Sequence, residues 1–84
     1  MAVNKHRIDD AKYFERLGAR IKKLRIDADY ASAESFAGEI GMNRTQYLNY
    51  EKGRNMEIAT LRKLAAAFDM KVEELLKGLE DKES

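Results

Sequence analysis

SFAGEIGMNRTQYLNYEKGR, residues 35–54, is the stretch on which the fold turns. Two patterns of helical period meet in it across Gly41, Met42 and Asn43. Before the break, Phe36, Ala37 and Ile40 recur at helical spacing, with Ser32 upstream as an N-cap and Gly41 as the left-handed residue that ends the helix. After it, Asn43 opens a second helix, Gln46 three residues on completes a capping box, and Gly53 closes the segment. Two short helices joined this tightly can neither run on as one rod nor fold back fully antiparallel. They are expected to cross steeply, as in a helix-turn-helix, whose second helix protrudes enough to enter a DNA major groove.

Outward from that corner the helical period continues on both sides. Phe14, Leu17, Ile21, Leu24 and Ala28 predict a first helix over residues 11–28, with Asp29 and Tyr30 in the turn that follows. Ile58, Leu61, Leu64, Ala65 and Phe68 trace a fourth helix. Val72, Leu75, Leu76 and Leu79 trace a short fifth, whose Glu73 and Glu74 suit its N-terminal dipole. The chain holds 84 residues and no proline, strand-type alternation is hard to find, and Ala, Leu, Lys, Glu and Arg abound. The expectation is an all-α domain over residues 11–79, flanked by a flexible tail at 1–10 and an acidic tail at 80–84.

Composition excludes several chemistries. No cysteine is present, so disulfides and thiolate metal sites are ruled out, and His6 is the only histidine. The acidic clusters Asp9-Asp10, Glu73-Glu74 and Glu80-Asp81 lack calcium-loop spacing. No catalytic dyad can be assembled, and neither an enzyme nor a cofactor is expected. No run approaches the ~18 apolar residues of a membrane span, and the start MAVNKHRIDDAKYF has no apolar signal core. A soluble cytoplasmic protein is expected.

Charge is informative by its distribution. The net charge of +1 conceals a first segment, residues 1–26, with eight bases against Asp9, Asp10 and Glu15. Residues 27–42 carry only acids, Asp27, Asp29, Glu34 and Glu39, whereas residues 43–56 set Arg44, Lys52 and Arg54 against Glu51 alone. Rotation at about 100° per residue divides the third helix: Arg44, Thr45, Leu48, Asn49 and Lys52 on one arc, Gln46, Tyr47, Tyr50 and Glu51 on the other. Glu51 on the tyrosine face is a buried carboxylate that needs a cation. In the first helix Arg25 falls inside the apolar stripe, between Phe14 and Gly18. Each misfit supplies what the other lacks, so Arg25 and Glu51 are expected to pair.

LGARIKKLR, SFAGEIGMNRTQYLNYEKGR and IATLRKLAAAFDMKVEELL together resemble the Cro/C1-type helix-turn-helix domain of phage and bacterial repressors, the XRE-like family, over residues 17–76. The resemblance implies a compact five-helix lambda-repressor-like fold. A helix-one arginine paired with the glutamate ahead of the glycine is common there, which matches Arg25 and Glu51. It also implies that Arg44, Thr45 and Asn49 read base edges, the first by bidentate bonds to guanine and the last to adenine. Leu48 lies between them, either on a thymine methyl or packed against a neighbouring helix. Phosphate contacts are expected from Asn43, Lys52, Arg54, Asn55 and the helix start at Ser32 and Ala33, with Arg20 and Lys23 as flankers. An ordinary solvated role stands beside each of these. Gln46 either caps its helix or meets a phosphate. In the family Ala33 stands where glutamine is frequent, Asp69 where glycine is frequent, Met56 where proline is frequent, and Lys71 replaces a small N-cap residue.

The resulting expectation is a transcriptional regulator, a repressor, that binds a double-stranded DNA operator as a homodimer with half-sites about 34 Å apart. Met56, Ile58, Val72 and Leu75 are either its dimer surface or simply core. The chain ends soon after the fifth helix, so any ligand response is expected from elsewhere. A second reading keeps the fold but uses it to hold a protein partner, as an antitoxin or adaptor does. The near-neutral charge, the outward Leu48, Ala33 and the acidic tail favour that reading.

Overall fold

The computed structural model describes residues 8–80, and all of its regular structure is helical. The elements are α1 (Asp10–Asp27), α2 (Ala33–Glu39), α3 (Arg44–Glu51), α4 (Ile58–Ala67) and α5 (Val72–Leu75). His6 and the acidic residues Asp81 and Glu83 lie outside the described residues.

Each boundary has a local cause. The first helix begins at Asp10, inside the segment expected to be a tail, because the Asp9 side chain accepts from the Lys12 amide and caps it. It ends a residue sooner than predicted, with exposed Ala28 as its cap, and Asp29 takes the left-handed conformation that turns the chain. Ser32 caps α2 through Ser35, and Asn43 caps α3 through a bond from the Gln46 amide at 3.0 Å. Only that half of the predicted capping box forms among the described residues. Gly41 and Gly53, at φ +68 and +106, close α2 and α3 where an L side chain would be strained. Asp69 sits in the same left-handed region after α4.

The core gathers Leu17 and Ile21 from α1, Phe36 and Ala37 from α2, Tyr47 and Tyr50 from α3, and Leu61, Leu64 and Ala65 from α4. Met56, Leu75 and Leu79 complete it. Phe36 is its aromatic hub: the Phe68 ring stacks on it at 5.1 Å, and Tyr30 and Tyr47 approach at 5.2 and 5.3 Å. The close approach of α1 to α3 depends on Gly18, where a Cβ would lie 2.4 Å from the Glu51 carbonyl oxygen and 2.6 Å from that of Tyr50. No residue larger than glycine fits there without moving the backbone.

Three expectations change on packing grounds. Ile58, which continues the apolar stripe of α4 and is expected either in the core or at a dimer surface, is 67% exposed at the first position of that helix. The fifth helix is a single turn; Leu79 is buried from the chain beyond it. The carbonyls at the end of that turn are met from α1, where Arg20 donates from Nε to Leu75 O at 2.7 Å and from Nη2 to Glu74 O at 2.8 Å. Arg16 Nε reaches Leu79 O at 2.9 Å. Arg20, considered as a phosphate flanker, holds α5 to α1 through these bonds.

Candidate nucleic-acid interface

The site is built around α3, which is fixed at its inner face and open at its outer one. Tyr47 and Tyr50 anchor it in the core. Glu51, one turn beyond Tyr47, accepts from Arg25 Nε at 2.7 Å and Nη2 at 3.3 Å, and the Arg25 Nη1 donates to the Tyr30 carbonyl at 2.6 Å. The two side chains are 5% and 8% exposed. The Tyr47 hydroxyl also donates to Glu51, so the carboxylate is met by both a cation and a neutral donor. The hydrogen bond to Glu51 raises the Arg25 pKa above its ordinary value. Burial pushes the Tyr47 hydroxyl up, and its bond to Glu51 adds to the effect. All buried side-chain polar atoms among the described residues have partners. Since Glu51 is neutralised from within, its charge subtracts little from the basic residues around it.

On the outer face Arg44, Thr45 and Leu48 are exposed and Asn49 is half-buried, with exposed Lys52 at the C-cap. Leu48 is 36% exposed, a large apolar side chain on the solvent face. Gln46, assigned by rotation to the tyrosine arc, is exposed as well. Its flank borders a surface cleft of about 230 Å³ lined by Met42, Gln46, Tyr50, Arg54, Asn55, Glu57 and Thr60. Arg54 and Asn55 are exposed at that cleft, and Ser32 and Asn43 are exposed at the starts of α2 and α3. The Asn43 Oδ1 and Ser32 Oγ are occupied as acceptors by capping, which leaves the Ser32 hydroxyl proton and the Asn43 amide group as donors. Lys23 pairs with Asp27 across one turn of α1 at 3.6 Å.

One contact has no counterpart in the sequence expectations. Arg44 Nη1 donates to Glu34 Oε1 at 2.6 Å, joining the first turns of α2 and α3. Ten residues separate the two, a spacing that no helical period relates.

Residues expected at a dimer surface separate into two groups. Met56 and Leu75 are buried within the monomer and Val72 is half-buried, while Ile58 stands in solvent. No group of His, Cys, Asp and Glu among the described residues is arranged to hold a metal ion, and no helix there is long and apolar enough to cross a membrane.

A family model described as a helix-turn-helix domain matches residues 18–80. The chain is 38% identical over 66 residues to control protein C.MunI of Mycoplasma sp., a match spanning 77% of this chain and 89% of that protein. Among solved structures it resembles the hypothetical transcription factor NHTF from Neisseria, with a TM-score of 0.69 and 24% identity over 89% of this chain and 86% of that one. That likeness bears on the fold. The short α2–α3 connection through left-handed Gly41, the capped starts of both helices and the polar outer face of α3 agree with the sequence match: the chain belongs to the Cro/C1-type, XRE-like helix-turn-helix family of DNA-binding transcription regulators.

Proposed function

We propose that this chain is a sequence-specific duplex-DNA regulator that lays α3 in the major groove and acts as a repressor, by occupying DNA that the transcription machinery needs. The observation that carries this reading is the two-sidedness of α3: tyrosines and a neutralised glutamate inward, Arg44, Thr45 and Leu48 outward and uncovered. In this reading Arg44 reads guanine, Asn49 adenine and Thr45 a neighbouring base edge, with Leu48 against a thymine methyl. Asn43, Gln46, Lys52, Arg54, Asn55 and Ser32 meet phosphates on either side and set the register. The name of the Mycoplasma relative, a control protein, supports a regulatory role. One copy covers few base pairs, so two copies bind half-sites about one helical turn apart. Exposed Ile58 is the apolar residue available to such a contact among those expected there.

Selection of binding sites from random duplexes with the purified chain tests this directly. A palindromic consensus is expected. Arg44→Ala should cost about 1–3 kcal/mol and relax preference at one position, whereas Arg54→Ala should weaken all sequences alike and reduce the salt slope by about 1. Absence of any duplex binding at about 50 mM salt, together with tight capture of a protein partner, would replace this reading with the protein-interaction one.

A further inference from the structure

We infer that Glu34 is a specificity-determining residue, which acts by holding the Arg44 guanidinium in a base-reading pose and away from the phosphates. The inference rests on the proposed role of Arg44 and adds a residue that neither the family match nor the helix-three pattern assigns. The contact is short, 2.6 Å from Arg44 Nη1 to Glu34 Oε1, yet its side chains are 60% and 65% exposed. An exposed pair contributes little to stability, so the fold gains little from it. Its geometry has a different consequence. Of the five N–H donors of a guanidinium, the bond to Glu34 engages one on Nη1 and leaves the edge formed by Nε–H and Nη2–H. Two parallel donors on one edge are what the guanine O6 and N7 pair requires.

Without Glu34, a long side chain at the start of α3 would be free to turn toward the nearest phosphate, a contact without sequence information. Glu34 also places a negative charge beside the groove, which disfavours Arg44-to-phosphate poses on every sequence. Both effects lower non-specific binding relative to specific binding, and specificity is that difference. A carboxylate in the first turn of α2 also complements the dipole of its own helix. That role alone would move stability and leave base preference unchanged.

The test is site selection and salt-dependent binding with Glu34→Gln, beside the parent chain and Arg44→Ala. Glu34→Gln is expected to leave the melting midpoint within about 4 °C of the parent. It should lower the guanine preference at the position Arg44 reads by about threefold to tenfold. Non-specific duplexes should bind more tightly, with a log–log salt slope steeper by about 0.9. Glu34→Asp, which keeps the charge on a shorter arm, should recover part of the preference. If Arg44→Ala relaxes one position and Glu34→Gln leaves both that preference and the salt slope unchanged, the role of Glu34 is overturned while the reading of α3 stands. If Arg44→Ala relaxes no position, or the parent chain selects no consensus at all, the inference fails together with the reading on which it rests.

Discussion

Replacing Glu51 with alanine should destabilise this domain severely, and the magnitude follows from its contacts. The substitution strips the Arg25 guanidinium of two hydrogen bonds at a site where that side chain is 5% exposed, and leaves it one bond, to the Tyr30 carbonyl. An uncompensated buried charge costs about 3–5 kcal/mol. The Tyr47 hydroxyl loses its acceptor too, worth roughly 1–3 kcal/mol where no water replaces it, though the two losses share one cavity and will not add fully. A total near 4 kcal/mol compares with the roughly 4–13 kcal/mol expected for a domain of this size. At about 4–8 °C per kcal/mol, the melting midpoint should fall by about 15–30 °C. Calorimetry or circular dichroism on Glu51→Ala measures it. Arg25→Met, Glu51→Leu and Tyr47→Phe combined should be far less damaging than Glu51→Ala alone, because no buried charge is left behind. A Glu51→Ala chain melting within a few degrees of the parent, or a triple variant worse than the single, would show that the pair is not the buried tie described.

Gly18→Ala should destabilise by about 1–3 kcal/mol or more, since its Cβ meets backbone and not a mobile side chain; an unchanged midpoint would mean that α1 and α3 sit further apart. Asp69→Gly should stabilise by about 0.5–1 kcal/mol, relieving a left-handed non-glycine residue at φ 55 and removing a negative charge from the end of α4, as read from denaturant midpoints. Tyr47 makes stability sensitive to alkali. Its folded pKa lies above the ordinary value near 10, so its contribution is fully present below pH 10 and is lost as the unfolded chain sheds its proton first at higher pH. Unfolding free energy should fall by up to about 1.4 kcal/mol per pH unit above 10 from this residue, and Tyr47→Phe should flatten most of that slope. Tyr13, raised chiefly by burial, supplies a smaller part.

Much of this architecture was legible because its signals are local. Capping side chains, left-handed glycines and helical periods act over a few residues, and Ser32, Asn43, Gly41 and Gly53 all stand where those rules place them. The placement of Arg25 opposite Glu51 could be read from long range only because each was a charge on an apolar face. Where a residue sat at the margin of an arc, periodicity did not decide. Gln46 lies at the edge of the tyrosine face and is exposed beside a surface cleft, and Ile58 continues the α4 stripe but stands at its first, exposed position. The bonds from Arg16 and Arg20 to the carbonyls around α5, and that from Arg44 to Glu34, join side chains to distant partners that carry no mark of their role. At the candidate site, residue type and exposure could be anticipated, whereas which donors were already engaged could not.

Gly18 brings two backbones into direct contact beneath Glu51, and backbone atoms do not vary with sequence. The tilt of α3 is thereby set by main chain and by its buried residues, independently of what its outer positions carry. If α3 reads bases as proposed, exchanges at Arg44, Thr45 or Leu48 should retarget it without re-aiming it. On that reading new preferences would arise by single steps on an unchanged mount, with Glu34 varied alongside Arg44 and with Gly18, Arg25, Tyr47 and Glu51 left alone.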